Sequence, residues 1–261
     1  MIRAKKSLGQ NFLRDANIAD AIVRSLECAE GDTILEIGPG TGALTLRLAK
    51  LPAKTIAVEL DPRAVAELRA ALPARQFPTV TILEADFLRC DLAALLGSGA
   101  RGTIVGNIPY YITSDILFRI FEHSPLLNRA VIMMQREVAE RLVAKIRTKE
   151  YGILTVAAAF TAKPKKLFTV PPSCFVPQPN VESAVVSFDC ADRLLAPERF
   201  ARVMKLVRAA FSQRRKVLAN AMKTYCASTH IALPCEYARR RAEELTPQEF
   251  ITLYDELHPH P

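Results

Sequence analysis

Four consecutive residues, Asn107, Ile108, Pro109 and Tyr110, combine hydrogen-bond acceptors with an aromatic ring. The Asn107 side-chain oxygen can accept a hydrogen bond, and Pro109 favours an extended Ile108, which fixes the direction of the Ile108 carbonyl. Tyr110 adds a flat face beside these acceptors. The combination suits a planar ring that carries an amino group. The alternative is a strand that ends in an Asn-x-Pro turn with a core tyrosine.

The apolar run before this loop, residues 102–106, predicts a strand that is buried on both faces. Similar runs occupy residues 33–37, 55–58, 80–83 and 130–134. The first four runs alternate with helical segments, and each is followed by a polar residue. This pattern predicts an α/β fold with a parallel, doubly wound sheet and one ligand across the carboxyl ends of its strands.

A glycine-rich turn follows the first strand and opens a helix. Gly38 and Gly40 allow a tight turn and a close approach of a ligand to the backbone, and Glu59 follows about 20 residues later, where a carboxylate can accept both hydroxyls of a ribose. Asp86 comes after the third strand. The spacing of Gly38, Gly40 and Ala43 also fits an NAD-binding fingerprint, so an NAD enzyme is an alternative.

The loop at Asn107 favours a methyltransferase that acts on an amino group over a dehydrogenase. The exocyclic nitrogen of adenine is a poor nucleophile because its lone pair is delocalised into the ring. The Asn107 side-chain oxygen and the Ile108 carbonyl, by holding its hydrogens, would favour a pyramidal nitrogen with its lone pair aimed at a sulfonium methyl. Tyr110 would stack on the base. No strong general base is then required, because the amine becomes acidic once methylated.

The remaining segments predict a second, helical region. Asp15 is an expected N-cap of a helix that runs to about residue 26, residues 153–160 fit either helix or strand, and a proline-rich loop holds Phe175. We expect two domains, residues 1–190 and 191–261. Further helices are predicted at about 43–50, 136–145, 199–211, 216–225 and 247–257, and a further strand at 183–188.

Composition restricts the class of protein. The 261 residues are 50% hydrophobic and 24% charged, as in ordinary globular proteins, while a net charge of +8 suggests a polyanionic partner. The six cysteines have no close paired spacing and the four histidines have no metal-ligand spacing, so we expect reduced thiols and no metal site. No apolar run approaches the length of about 18 residues that would predict a membrane span. We therefore expect a cytoplasmic protein.

The basic residues concentrate in the predicted helical region. Between residues 199 and 223 there are eight Lys or Arg and no acidic residue, and an arginine run occupies residues 239–241. Such a segment can neutralise several phosphates, although a solvated helix face has the same composition. The predicted RNA contacts are Arg208, Arg214, Arg215 and Lys216.

Five motifs together resemble one family, the small-subunit ribosomal RNA adenine dimethyltransferases, from about residue 5 to residue 257. In order they are Lys6-Ser7-Leu8-Gly9-Gln10-Asn11-Phe12-Leu13, Glu36-Ile37-Gly38-Pro39-Gly40-Thr41-Gly42, Asn107-Ile108-Pro109-Tyr110-Tyr111-Ile112, Phe175-Val176-Pro177-Gln178-Pro179 and Phe211-Ser212-Gln213-Arg214-Arg215-Lys216.

The resemblance implies a Rossmann-like class I methyltransferase sheet with a small C-terminal helical domain. It also implies S-adenosylmethionine-dependent dimethylation of two adjacent adenosines near the 3′ end of small-subunit ribosomal RNA during ribosome assembly. Tyr110 and Phe175 would sandwich the target adenine, and the alternative for Phe175 is a core anchor of the proline loop. The implied partner is the small ribosomal subunit, with the enzyme a monomer. The residues that would hold the donor are Asn11, Leu13, Gly38, Gly40, Glu59, Asp86 and Asn107.

Two other functions are alternative interpretations of this sequence. A large-subunit ribosomal RNA adenine methyltransferase of the macrolide-resistance type shares the N-terminal arm and the Asn107 loop, but the motifs at Phe175 and Phe211 favour the small-subunit enzyme. A non-catalytic factor that binds ribosomes or nucleic acid would use the same fold. The intact glycines, Glu59, Asp86 and Asn107 argue against that second rival.

Overall fold

The computed structural model describes residues 2–5, 8–97 and 102–259. Lys6 and Ser7, which open the first motif above, lie outside the described residues. The chain divides into two compact units, which we treat separately.

The first unit, which we call the sheet unit, comprises Met1–Ala139 and Lys165–Ala191. The second, which we call the helical unit, comprises Glu140–Pro164 and Asp192–Pro261. The boundary expected between residues 190 and 191 lies one residue before the third junction, which is between Ala191 and Asp192. Glu140–Pro164, which the sequence analysis places in the first domain, falls in the helical unit in this division.

The strands are numbered β1–β9 in chain order. Within the described residues, seven of them form one sheet in the order β4-β3-β2-β5-β6-β9-β7, and β1 pairs with β8 separately. The bounds are β1 Phe12–Leu13, β2 Thr33–Ile37, β3 Lys54–Glu59, β4 Val80–Glu84, β5 Gly102–Asn107, β6 Leu127–Gln135, β7 Lys163–Val170, β8 Phe175–Val176 and β9 Ser183–Asp189.

The sheet reverses its strand order at β2. Strands β3 and β4 extend from one side of β2, β5 and β6 extend from the other side, and all of these neighbours pair in parallel. Strand β9 pairs antiparallel with β6. The gap between the carboxyl ends of β2 and β5 is therefore a topological switch point, where open α/β sheets bind ligands. This confirms the predicted doubly wound sheet.

The helices are numbered α1–α12. The predicted N-cap is confirmed, because Asp15 accepts hydrogen bonds from the backbone amides of Asn17 and Ile18 at 2.9 and 3.1 Å. The bounds are α1 Ala16–Arg24, α2 Thr45–Leu48, α3 Pro62–Ala71, α4 Leu92–Leu96, α5 Thr113–Glu122, α6 Arg136–Leu142, α7 Ile153–Thr161, α8 Pro197–Phe211, α9 Leu218–Ala221, α10 Lys223–Thr229, α11 Cys235–Ala238 and α12 Pro247–Leu257.

The structure resolves one ambiguous segment, divides one predicted helix and adds one strand that the sequence did not predict. Residues 153–160, which fitted helix or strand, lie in α7. The helix predicted over 216–225 begins only at Leu218 and is divided at Met222 into α9 and α10. Strand β7 was not predicted, because its exposed lysines and its proline hide the apolar alternation; such residues are typical of a sheet edge, which β7 occupies.

Aromatic packing holds the helical unit together. The rings of Tyr151, Phe211 and Phe250 lie in series, with centroid distances of 6.2 and 5.9 Å. The Tyr151 hydroxyl donates a 2.6 Å hydrogen bond to the Leu245 carbonyl, and burial raises the pKa of Tyr151. The phenol therefore stays a neutral donor inside this core.

The N-terminus of α12 is fixed by a reciprocal cap. Thr246 donates its backbone amide to Glu249 Oε2 at 2.7 Å, and Glu249 donates its backbone amide to Thr246 Oγ1 at 3.1 Å. Arg240 donates to Glu249 Oε1 at 2.6 Å. The hydrogen bond from Arg240 is the main cause that lowers the pKa of Glu249 to about 2. Arg240 is thus a structural member of the arginine run.

We expect Glu249→Gln to destabilise the protein at pH 7 by about 1 kcal/mol, because a partly exposed ion pair is screened by solvent. The Glu249 pKa is lower in the folded than in the unfolded state, so its stabilising contribution is present above about pH 4.5 and is lost as the pH falls towards 2. Denaturant unfolding at pH 7 and at pH 2.5 should show a smaller stability difference between the wild type and the variant at the lower pH. Glu256→Gln, an exposed change on the same helix, is the control and should leave stability unchanged at both pH values.

Candidate functional site

A pocket of about 1030 Å³, counting its open mouth, lies at the carboxyl ends of the strands of the sheet unit. Its walls come from the N-terminal arm, the glycine turn and the loops after β3, β4 and β5. All seven residues predicted to hold the donor line this pocket: Asn11, Leu13, Gly38, Gly40, Glu59, Asp86 and Asn107. Parallel strands bring these residues together, although the chain separates them by up to 96 positions.

The glycine turn supplies the floor of the pocket. Gly38 and Gly40 have positive φ angles of 62° and 56°, a conformation that side chains other than glycine rarely adopt. A Cβ at Gly40 would also lie 2.9 Å from the Phe12 ring. Glycine is therefore required at position 40 both by its backbone conformation and by the close approach of the arm.

The Glu59 carboxylate is fixed from two sides. Its Oε2 accepts from the Gly40 amide at 2.9 Å and its Oε1 accepts from the Asp61 amide at 2.8 Å. The side chain is buried, and each oxygen keeps a further lone pair for a ligand. Asp86, at the end of the next strand, is more exposed and accepts from the Leu88 amide at 2.9 Å.

The N-terminal arm forms one wall of the pocket. Gln10 donates a 3.2 Å hydrogen bond to Asp61, and a Cβ at Gly9 would lie 2.9 Å from the Tyr111 ring. The Asn107 side-chain nitrogen donates to the Asn11 carbonyl at 2.9 Å. The sequence alone shows only a basic arm with an amide pair, and these contacts are the reason that the arm belongs to the site.

The hydrogen bond to Asn11 determines which atom Asn107 presents. Because its nitrogen is engaged, the side-chain oxygen remains as an acceptor, and none of the described residues donates to it. The Ile108 amide donates to the Met133 carbonyl at 3.2 Å, which anchors the residue to β6, while no described residue donates to the Ile108 carbonyl. Pro109 follows in an extended conformation, with φ −61° and ψ 136°.

The two predicted aromatic residues lie in different surroundings. Tyr110 lines the pocket, and its hydroxyl is 2.7 Å from Ser183 Oγ. Burial raises the pKa of Tyr110, so the phenol stays neutral. Phe175 is fully buried, pairs with Leu13 across β8 and β1, and is not among the residues that line the pocket. Phe175 therefore occupies a core position, as expected if it anchors the proline loop. Its contact with a base stays a prediction.

The predicted RNA contacts in the helical unit differ in their availability. Arg214 pairs with Glu243 at 3.1 Å and donates to the Thr148 carbonyl at 3.2 Å. Arg215 and Lys216 are exposed and have no ion-pair partner among the described residues, and Arg208 is exposed on α8.

A backbone bridge adds one cation to this surface. Val217 bridges Arg241, which is exposed, so the backbone places Arg241 beside Lys216. The sequence run at 239–241 could not distinguish Arg241 from Arg240, which is bound to Glu249.

Glu36 is a pocket residue that the sequence analysis did not select. It lies in β2, is 1% exposed, and its Oε2 has no hydrogen-bond partner among the described residues. Burial raises the pKa of Glu36 to about 8, the neighbouring Glu59 adds to that rise, and Thr45 opposes it. The available signal was an acidic residue inside an otherwise apolar strand.

Metal-ligand clusters and membrane-spanning helices are both absent from the described part of the chain. No three His, Cys, Asp or Glu side chains come close enough together there to hold a metal ion. None of the helices found there combines the length and the apolar character needed to cross a membrane.

Comparisons with known proteins agree with this geometry. A family model described as ribosomal RNA adenine dimethylase matches residues 1–258. The ribosomal RNA small subunit methyltransferase A of Salinibacter ruber is 43% identical over 261 residues, covering 99% of this chain and 86% of the relative.

Solved structures are similar over nearly the whole chain. A dimethyladenosine transferase from Plasmodium falciparum has a TM-score of 0.77 and 26% identity, covering 93% of this chain and 95% of the other. The 23S rRNA methyltransferase ErmE has a TM-score of 0.69 and 25% identity, covering 95% of this chain and 99% of the other. The fold is therefore shared with a dimethyladenosine transferase and with a 23S rRNA methyltransferase.

We expect Glu36→Gln to stabilise the protein above about pH 5. The folded state holds the Glu36 proton up to a pKa of about 8, whereas the unfolded chain releases it near 4.5, so the wild type loses stability as the pH rises between these values. An amide cannot ionise and avoids this loss. Denaturant unfolding from pH 4 to pH 9 should give curves that coincide at pH 4 and separate by more than about 1 kcal/mol by pH 8. A constant difference would contradict a buried neutral carboxyl.

Proposed function

The chain belongs to the ribosomal RNA adenine dimethylase family, and from this membership we propose that it dimethylates the exocyclic amines of two adjacent adenosines near the 3′ end of small-subunit ribosomal RNA, with S-adenosylmethionine as donor. The observation that carries the proposal is the hydrogen bond that holds Asn107. It leaves the Asn107 side-chain oxygen as an acceptor, and Ile108, whose carbonyl is the second proposed acceptor, lines the same pocket.

The pocket fits the proposed donor. Gly38 leaves the backbone open to close approach, since a Cβ there would meet only the Asn107 carbonyl oxygen at 4.0 Å, and Glu59 keeps acceptor capacity for the ribose hydroxyls. Asp86 would face the adenine of the donor, and Asn11, Leu13 and Asn107 would complete the wall. When bound, S-adenosylmethionine supplies an electrophilic methyl group on a sulfonium.

The residues of the loop would prepare the target amine. Asn107 Oδ1 and the Ile108 carbonyl accept its two hydrogens, which draws the lone pair out of conjugation with the ring. These fixed dipoles favour the pyramidal transition state over the flat ground state and cost no reorganisation during the reaction. Pro109 limits the motion of the Ile108 carbonyl. Tyr110, held by Ser183, supplies the stacking face.

The second aromatic face would come from Phe175 after a local rearrangement of the β1–β8 pair. This part of the proposal rests on the family motif. The buried position of Phe175 means that such a movement is required before a base could contact its ring.

The large-subunit reading is the weaker candidate. The relative from Salinibacter ruber, named ribosomal RNA small subunit methyltransferase A, is 43% identical to this chain. The 23S rRNA methyltransferase ErmE is 25% identical to it. Among solved structures, the dimethyladenosine transferase also has the higher TM-score, 0.77 against 0.69.

RNA contact by the helical unit is the second part of the proposal, and residues 191–261 would be the core of that domain. Arg215, Lys216 and Arg241 lie on adjacent backbone segments, and no carboxylate of the described residues forms an ion pair with their side chains, although Glu244 accepts the Arg241 backbone amide at 3.3 Å. Unpaired cations can neutralise phosphates without first breaking an ion pair. Arg214 would act chiefly by holding the loop to Glu243, and Arg208 would extend the surface along α8.

We further propose that the enzyme acts as a cytoplasmic monomer on the small ribosomal subunit. Every residue that lines the pocket comes from the sheet unit of a single chain, so the site needs no second copy. The location follows from ribosome assembly as the proposed process.

We expect the protein to transfer labelled methyl groups to adenosines of under-methylated small subunits and not to large subunits. Asn107→Ala should reduce the rate by 10²–10³ or more, a barrier increase of about 3 kcal/mol, because one preorganised acceptor is lost. The measurement is incorporation of label from S-adenosylmethionine into purified subunits of each size, followed by mapping of the modified bases.

Asn17→Ala is the matched control for this prediction, the same asparagine-to-alanine change at an exposed position of α1 that is not among the residues lining the pocket. It should retain full activity. Label on large-subunit adenosines would favour the rival enzyme, and no label on either subunit would exclude the proposed function.

We expect the double variant Arg215→Ala with Lys216→Ala to bind small subunits more weakly at 150 mM salt. Loss of two phosphate contacts should reduce the slope of log affinity against log salt by roughly 1.5. Filter binding across a range of salt concentrations measures that slope, and thermal stabilisation by S-adenosylhomocysteine reports whether the donor pocket is intact.

The control is Lys50→Ala with Lys54→Ala, which removes the same charge near the amino end of β3. The pocket lies at the carboxyl ends of the strands, so these two lysines are at the other end of the sheet. That pair should leave the salt slope unchanged. If both double variants reduce the slope equally, the effect is one of net charge and the loop is not a specific contact.

A further inference from the structure

Two carboxyl groups line the same pocket but have different hydrogen-bond environments. Each oxygen of Glu59 accepts a backbone amide, at 2.9 and 2.8 Å. Glu36 is more deeply buried, and its Oε2 has no partner among the described residues. Hydrogen bonds from amides to both oxygens favour an ionised carboxylate, whereas burial with an unpartnered oxygen favours the neutral acid. The proton of the pair therefore belongs on Glu36.

Among the described residues, the elements packed around Glu36 offer no cation that would oppose this assignment. Strand β3 presents the anionic Glu59, and α2 contributes the uncharged Thr45. Asp61, beyond β3, is paired with Arg63 at 2.6 Å. Strand β5 ends in the neutral amide Asn107.

Helix α4, which also packs on β2, has only apolar side chains. The charge that Glu36 meets from the described residues is therefore that of Glu59, and a second negative charge in the pocket would be repelled.

A positively charged ligand changes this balance. If the proposed function holds, the pocket takes a donor whose sulfonium and ammonium groups carry two positive charges and whose carboxylate carries one negative charge. We propose that Glu36 is protonated in the free enzyme and releases its proton to solvent when the cationic methyl donor binds, so that two carboxylates then face the cation.

The release makes donor binding depend on pH in a defined direction. Below a pKa of about 8 the free enzyme must give up a proton to bind, so donor affinity rises with pH and levels off above that value. Methyl transfer removes the sulfonium charge. Glu36 can then recover its proton, which weakens the hold on the product, S-adenosylhomocysteine, relative to the donor.

Calorimetry tests this proposal without a catalytic assay. S-adenosylmethionine is titrated into the full-length protein at pH 7 in two buffers of different ionisation enthalpy, and the slope of binding enthalpy against buffer enthalpy counts protons. The wild type should release about one proton per donor, since a group with a pKa of about 8 is mostly protonated at pH 7. S-adenosylhomocysteine should release fewer.

Glu36→Gln should still bind the donor but release no proton. Glu84→Gln is the matched control, the same carboxyl-to-amide change at an exposed position of β4, and it should release protons as the wild type does. Equal release by the wild type and Glu36→Gln would overturn the proposal, because the proton would come from another group. Zero release by the wild type would overturn it as well.

A second measurement covers the case in which Glu36→Gln does not fold. Infrared difference spectra of the wild type should show loss of a protonated-carboxyl band on donor binding, and a band that persists would overturn the proposal. These outcomes are separate from failure of the proposed function, in which neither S-adenosylmethionine nor S-adenosylhomocysteine would bind at all.

Discussion

The parallel pairing of β2 with β5 is the constraint on which the site depends. Ile37 lies opposite Gly106 in this register, and a Cβ at Gly106 would lie 2.8 Å from the Ile37 carbonyl oxygen. Glycine at that position lets the two strands finish side by side. The next residue on each strand is Gly38 on one and Asn107 on the other. The glycine turn and the Asn107 loop are therefore neighbours because two backbones pair closely, and the loops need only complete the pocket.

The N-terminal arm turns this sheet edge into a pocket with a defined acceptor. Its contacts reach the loop through Asn11, the glycine turn through Phe12 and the carboxylate network through Gln10. A side-chain amide has two chemically opposite ends, and without the Asn11 carbonyl either end of Asn107 could face the target. The hydrogen bond to Asn11 removes that ambiguity. Donor binding and amine recognition thus share one wall, and a disturbance of the arm should affect both.

Sequence patterns predicted the sheet and most of the pocket because those features follow from local rules. Buried strands have apolar runs, glycine turns have a fixed spacing, and polar residues at the ends of parallel strands converge, which brought Gly38, Glu59, Asp86 and Asn107 together as expected. Strand β7 was missed because an edge strand need not be apolar. The core position of Phe175 could not be read from the sequence either, since a proline loop fixes the backbone but does not say which face the ring takes.

The distribution of charge partners explains why charge alone could not identify functional residues. Arg214 and Arg240 are bound to Glu243 and Glu249, while Arg215 lies next to Arg214 in the sequence and has no such partner among the described residues. A paired arginine must exchange one anion for another to bind phosphate, and the gain from that exchange is small. The carboxyls of the pocket follow the same logic, because backbone amides occupy both oxygens of Glu59, whereas Glu36 is buried with one oxygen that has no partner among the described residues. In both units the tertiary contacts decide which formal charges remain available for a ligand.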